Sequence, residues 1–194
     1  MEFISTHLRN TSRIIDELDV EKVSSLIREL KELKNRKGRL FILGVGGSAA
    51  NASHAVNDFR KLAGIESYAP TDNIAEVTAR TNDEGWETIF SGWLENSHLT
   101  EKDALLILSV GGGNKEKGVS VNLCNAIDVA TQSNVKIYSI VGKNDGYAQT
   151  HSDVCIKIPI VDETMITPHS ESVQAVIWHL IVSHPSLKAN PTKW

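Results

Sequence analysis

His54 and Asp58 stand four residues apart in a stretch of small residues that favours a helix. At that spacing the two side chains share one helix face. An imidazole and a carboxylate so placed can chelate a metal ion or act as a proton-transfer pair. The same spacing also suits a plain i,i+4 hydrogen bond on a solvated face. Just upstream, the apolar run 40–43 ends in Gly44-Val45-Gly46-Gly47-Ser48, the order of a strand, a tight turn and a helix. Such a turn leaves backbone N–H groups and the positive end of a helix free for an anion such as a phosphate. Glycine lets a ligand approach the backbone closely, and Ser48 adds a side-chain donor. A tight strand-to-helix connection with no ligand would use the same residues.

A second stretch repeats the pattern. The apolar run 104–108 ends in Ser109-Val110-Gly111-Gly112-Gly113-Asn114, and a helical pattern follows. Two such turns at strand ends can converge on one ligand, because open parallel sheets bind ligands outside the carboxyl ends of their strands. Ser109 and the amides of Gly111, Gly112 and Gly113 would then cup a phosphate. Lys115 and Lys117 read first as solvated lysines opening a helix. Asn82 and Asp83 fit a short turn, where such residues bond their own backbone. His179, between Trp178 and Leu180 in an apolar helix, reads by itself as a core histidine with one hydrogen bond. His7, His98, His151 and His184 have no partner at ligand spacing.

The elements that must hold these residues follow from periodicity. Residues 3–36 carry an apolar stripe at helical spacing (Leu8, Ile14, Ile15, Leu18, Val23, Leu26, Ile27, Leu30, Leu33), with Asp19 placed to cap a second helix. Then come a strand at 40–43, a helix at 48–62 bearing His54 and Asp58, a short strand at 65–69, a short helix at 74–79 and a helix at 86–99. A strand at 104–108, a helix at 119–133, strands at 135–141 and 154–158, a loop at 159–168 and a helix from about 170 to 182 complete the pattern. A loose tail is expected from His184. Alternating strands and helices predict a three-layer αβα domain on a five-stranded parallel sheet.

The chain has 194 residues, 41% hydrophobic and 23% charged, which suits one globular α/β domain. A net charge of −4 argues against a general nucleic-acid surface. Cys124 and Cys155 show no ligand spacing, so a reducing compartment and no disulfide framework are expected. No apolar run approaches a membrane span, and the first residues lack a basic region followed by an apolar core, so a cytoplasmic protein with no membrane partner is expected.

The glycine turn 44–50, His54 followed by an acid four residues on, the segment Thr78 to Gly85 and the late His179 resemble, in the same order, the phosphoheptose isomerases of the SIS (sugar isomerase) superfamily. The likeness runs from about residue 40 to 182. It implies a flavodoxin-like SIS domain over 37–194, with the helical segment 1–36 packing on it and in a homotetramer. It also implies an aldose–ketose isomerase, most simply converting sedoheptulose 7-phosphate to a heptose 7-phosphate. The alternative is a non-catalytic sugar-phosphate sensor or protein-binding factor, like the replication-initiation protein that resembles these enzymes. By the resemblance, Asp58 is the catalytic base and His179 the acid/base. Gly46, Gly47, Ser48, Asn82, Asp83, Ser109 and Gly111 to Gly113 bind substrate. His54, Asp58, Glu171 and His179 hold zinc, with His169 a rival ligand and Gln174 a possible hydrogen-bonding substitute for Glu171. The chain departs from the family at Asp58, where a Glu is usual, at Val45, where an Asn is usual, at Glu171, where a Gln is usual, and in the second loop, where Val110 and Gly111 to Gly113 replace a run usually rich in Ser and Thr. Glu171 and His179, eight residues apart, would lie about 12 Å apart on one regular helix. They can meet one ion only if the helix begins after Glu171 or if two subunits share the site.

Overall fold

The computed structural model describes residues 1–192. Two helices open the chain, α1 (Glu2–Asp16) and α2 (Val20–Asn35), and Asp19 caps α2 by accepting from the Lys22 N–H at 3.0 Å. There follow β1 (Leu40–Leu43), α3 (Gly47–Asp58), β2 (Ser67–Tyr68), α4 (Ile74–Asp83), α5 (Ile89–Asn96), β3 (Ala104–Ser109), α6 (Val121–Gln132), β4 (Lys136–Val141), α7 (Tyr147–His151), β5 (Val154–Lys157) and α8 (Ile166–Ser183). The sheet has five strands in the order β2-β1-β3-β4-β5, and every pair is parallel. This is the flavodoxin-like order, and its direction reverses between β1 and β3.

Strand residues alternate between the two faces. Leu40, Ile42, Leu106 and Leu108 pack with Leu26 and Leu30 of α2, Ala55 of α3 and Trp178 of α8. Phe41, Leu43, Leu105 and Ile107 pack with Phe90 and Leu94 of α5 and with Leu123 and Ile127 of α6. Both faces of β1 and β3 are therefore covered, which is why these strands are apolar throughout rather than alternating. Each such side chain contributes about 1.5–3 kcal/mol relative to exposure.

Several boundaries differ from the sequence expectation. Strand β2 keeps two residues of the expected five. Helix α4 runs on to Asp83, so Asn82 and Asp83 end a helix instead of forming a turn. Helix α3 changes at Asp58 into a π-helical turn over Phe59–Ala63. Helix α6 begins at Val121, after residues 114 and 119 have paired as a small antiparallel bridge. The stripe on α1 buries only Ile14, leaving Phe3, Ile4, Leu8 and Ile15 exposed. The segment after His184 is anchored, not loose: Leu187 is fully buried, and the N–H groups of Ala189 and Asn190 donate to the Leu62 carbonyl at 2.7 and 3.1 Å. Among the described residues no helix is long and apolar enough to cross a membrane.

Candidate functional site

Strands β1 and β3 are neighbours, and each runs directly into one of the two glycine turns, so both turns emerge at the point where the strand order reverses. In the first turn Gly46 takes φ +65° as the N-cap of α3, a conformation that favours glycine. No side chain caps α3. Ser48 is buried, and its hydroxyl has no hydrogen-bond partner among the described residues. A buried hydroxyl without a partner at an uncapped helix N-terminus leaves donors for a ligand.

The second turn is more constrained than its sequence suggests. Ser109 Oγ accepts from the Gly112 N–H at 2.9 Å, so that amide is already engaged and is not free to cup an anion. The carbonyls of Gly112 and Gly113 accept from the N–H groups of Ala148 and Tyr147, each at 2.8 Å, which clamps the turn to α7. Only open space surrounds the position a Cβ would take at Gly111. Lys115, rather than facing solvent freely, pairs with Asp128 and lies 4.6 Å over the Tyr147 ring. Its ammonium is thereby held charged, mainly by the hydrogen bond to Asp128.

Two and three turns beyond the first loop, α3 presents His54 and Asp58 toward α8. Asp58 Oδ2 lies 3.4 Å from His54 Nε2 and 3.3 Å from His179 Nε2. Ligand atoms of all three residues fall within 4.8 Å of one another, so the fold joins positions that are more than a hundred residues apart. The two imidazole rings stand at 78° with centroids 5.2 Å apart. His179 Nδ1 is 2.8 Å from the Ala175 carbonyl, which can only accept, so Nδ1 carries the proton and Nε2 offers a lone pair. A lone pair and a carboxylate oxygen facing each other need a proton or a cation between them. The backbone carbonyl behind the ring is the arrangement that orients a histidine ligand in metal sites. The chemistry and spacing of these donors fit a divalent ion such as zinc. Among the described residues this is the one group of three or more such side chains with that spacing.

Glu171 is not part of this group. Helix α8 begins at Ile166, so Glu171 and His179 lie on one continuous helix and cannot converge within a chain. The Glu171 carboxylate instead lies against Gly47 at the start of α3, where any Cβ would strike it. A negative charge is favoured at that helix end. Asn51 bridges the two helices here, its Nδ2 donating to the Glu171 carbonyl and to Gln174 Oε1, both at 2.9 Å. Gln174 is thus committed to α3 one turn away from the triad. His169 is buried and lies tilted at 37° against His7 of α1, with ring centroids 4.7 Å apart. Burial, and secondarily His7, push its imidazole below the ordinary histidine range. Asn82 and Asp83 are exposed at the end of α4, where Asn82 Nδ2 donates to Asp83 Oδ1 at 2.7 Å.

Two buried polar side chains, one of them at the site, carry no signal in the spacing of sequence motifs. The indole N–H of Trp178 donates to Asp58 Oδ2 at 3.1 Å. Asn122, in the first turn of α6, is fully buried with its Nδ2 unpartnered among the described residues. An aromatic in an apolar helix and an Asn near a helix start each look structural in one dimension.

No protein-family model matches the chain. Among curated proteins, the lincomycin biosynthesis protein LmbN of Streptomyces lincolnensis is 28% identical over 188 residues, covering 91% of this chain. The chain spans 66% of the length of LmbN. The phosphoheptose isomerase of Rhodospirillum rubrum is 29% identical over 149 residues, covering 74% of this chain and 73% of that protein. Among solved structures, phosphoheptose isomerase GmhA from Neisseria gonorrhoeae superimposes with a TM-score of 0.80 at 21% identity, over 93% of this chain and 95% of that one. The last match speaks for the fold alone. Over most of its length the chain is thus similar to curated phosphoheptose isomerases, at 25–29% identity, and it shares the fold of solved ones.

Proposed function

We propose that this protein is an aldose–ketose isomerase of sugar phosphates, with sedoheptulose 7-phosphate as the expected substrate and a heptose 7-phosphate as product. The observation that carries this reading is the single Asp58 oxygen set between two imidazoles, on the helix that opens at an uncapped glycine turn with a free buried hydroxyl. The turn at Gly46, Gly47 and Ser48 takes the phosphate, with Ser109 and the open Gly111 facing it. The phosphate serves as a remote handle that orients the reacting end. Asp58 removes a proton from C1 of the ketose and returns it to C2. With no metal bound, His179, already protonated at Nδ1, moves the balancing proton from O1 to O2 through Nε2; with zinc bound that nitrogen would be a ligand instead. The reaction is an internal redox exchange and consumes no second reactant.

His54 Nε2, Asp58 Oδ2 and His179 Nε2 would hold zinc, which when bound polarises the substrate carbonyl. Full-length protein incubated with sedoheptulose 7-phosphate, with product detected by a coupled assay, tests the reading directly. His54→Ala is expected to lose the metal and most activity, roughly 100-fold or more, while keeping its far-UV spectrum. A His54→Ala protein that binds zinc like its parent means the ligands lie elsewhere. Sugar-phosphate binding without turnover returns the sensor alternative.

The assembly in this reading is a homotetramer in the cytoplasm. Helix α1 exposes Phe3, Ile4 and Leu8, and an apolar groove of about 350 Å³ lined by Ile15, Leu18, Val20, Val176 and Leu180 opens beside it. A ridge and a groove on one chain suit association with further copies. Sedimentation at micromolar concentration is expected to give four chains, and a monomer refutes this.

A further inference from the structure

An aspartate is one methylene shorter than a glutamate, yet Asp58 reaches both imidazoles. We infer that Trp178 is the positioning residue that makes this short carboxylate serviceable, by fixing which of its oxygens faces the two histidines and where. The inference rests on the proposed His54–Asp58–His179 metal site.

Three observations support it. First, Asp58 Oδ2 meets three nitrogens at once: Trp178 Nε1 at 3.1 Å, His54 Nε2 at 3.4 Å and His179 Nε2 at 3.3 Å. The other oxygen, Oδ1, accepts from Asn57 Nδ2 at 3.0 Å. An aspartate has only two side-chain torsions, so a donor on each oxygen fixes both. Second, the indole is rigid. Trp178 is 1% exposed and packs in the core with Ala55 and Phe59 of the α3 segment and with Ile177 and Ile181 of its own helix. Its N–H can only donate. Third, the indole lies beside both rings that the carboxylate serves. It meets His54 edge-on, with centroids 5.3 Å apart at 68°, and its centroid is 5.0 Å from that of His179. One rigid bicycle therefore touches every member of the group.

The indole N–H occupies one lone pair of Oδ2 and leaves the other for the space between the imidazoles. A ligating carboxylate held by an outer donor in this way keeps its orientation before the ion arrives. A glutamate in place of Asp58 would carry its oxygens past the indole N–H and would not depend on it. A purely space-filling Trp178 would matter equally in both backgrounds.

The test is a double-mutant cycle on the full-length, metal-stripped protein, with zinc affinity read by chelator competition. Trp178→Phe keeps an aromatic ring and removes the N–H. In the Asp58 background it is expected to weaken zinc about 10- to 100-fold. In the Asp58→Glu background the same change is expected to cost less than about threefold, since coupling in a cycle isolates the pairwise contact. Equal losses in both backgrounds, or no loss in either, overturn the inference. If Trp178→Phe fails to fold, benzothienylalanine at position 178 keeps the bicyclic shape, replaces N–H with sulfur, and gives the same comparison. A parent protein that binds no zinc overturns the metal reading and this inference with it. A parent that binds zinc while Trp178→Phe binds it equally well overturns the inference alone.

Discussion

Glu171 puts a carboxylate where the first glycine turn would meet an anion. A phosphate bound there adds like charge beside it, so Glu171→Gln is expected to tighten sugar-phosphate binding by about 1 kcal/mol, roughly fivefold, measured by calorimetry. The same substitution is expected to leave zinc stoichiometry unchanged, and loss of metal would restore Glu171 to the ligand set. The pairing of His54 with Asp58 was legible because helical spacing alone brings them together. His179 was legible only through the family resemblance, since an imidazole in an apolar helix carries no mark of its role. The place of Glu171 depends on where α8 starts. Pro168 does not delay that start: as the third residue of the helix it occupies the first turn, whose N–H groups have no intrahelical partner anyway. Trp178 stayed hidden because a hydrogen-bonding indole and a packing indole have the same letter.

At the scale of elements, the strands were readable from their uninterrupted apolar runs, and α2 from its stripe and its cap. The small bridge at residues 114 and 119 was not, because Lys, Glu and Gly between a strand and a helix fit many loops. It depends on backbone detail: Gly118 at φ +64°, Ser120 at φ +47°, and mutual hydrogen bonds between Asn114 and Val119. The neighbouring glycines differ sharply in what they tolerate. Gly113 sits at φ +81° with Cys124 Sγ 2.7 Å from the position of an added Cβ, whereas nothing lies within 4 Å at Gly111 and its φ is not positive. Gly113→Ala is expected to cost about 2 kcal/mol or more, and Gly111→Ala within about 0.5 kcal/mol, by urea unfolding. Equal costs would mean that the turn is not clamped as described.

For the molecule as a whole, the end of the sheet opposite the site is closed by one ion pair. Asp103 accepts from the Arg39 backbone N–H at 2.9 Å, from its guanidinium at 2.7 and 3.1 Å, and from the Thr100 N–H at 2.9 Å. Burial opposes ionisation of Asp103, but these donors outweigh it and hold its carboxyl below the usual range. A carboxylate with a depressed folded pKa stabilises the fold above its unfolded pKa of about 3.9 and loses that contribution as pH falls through the folded value. Asp103→Asn is therefore expected to be less stable by about 1–3 kcal/mol at pH 7, with the gap to the parent narrowing below about pH 4. A gap that is constant with pH would rule out this role. The parallel sheet was legible from strand–helix alternation. The strand order was not, since alternation leaves it open and only the resemblance supplied it. The tail was misread because its two prolines say nothing of Leu187, which tucks under the end of the α3 segment.

The hydrogen bond between Trp178 and Asp58 spans 120 residues of sequence. During synthesis at about 5–20 residues per second, α3 is complete some 6–24 s before the indole that fixes its carboxylate exists. Through that interval the nascent chain carries a histidine and an aspartate on one helix and no third partner. Helix α8 is thus the element that turns the sheet into a site.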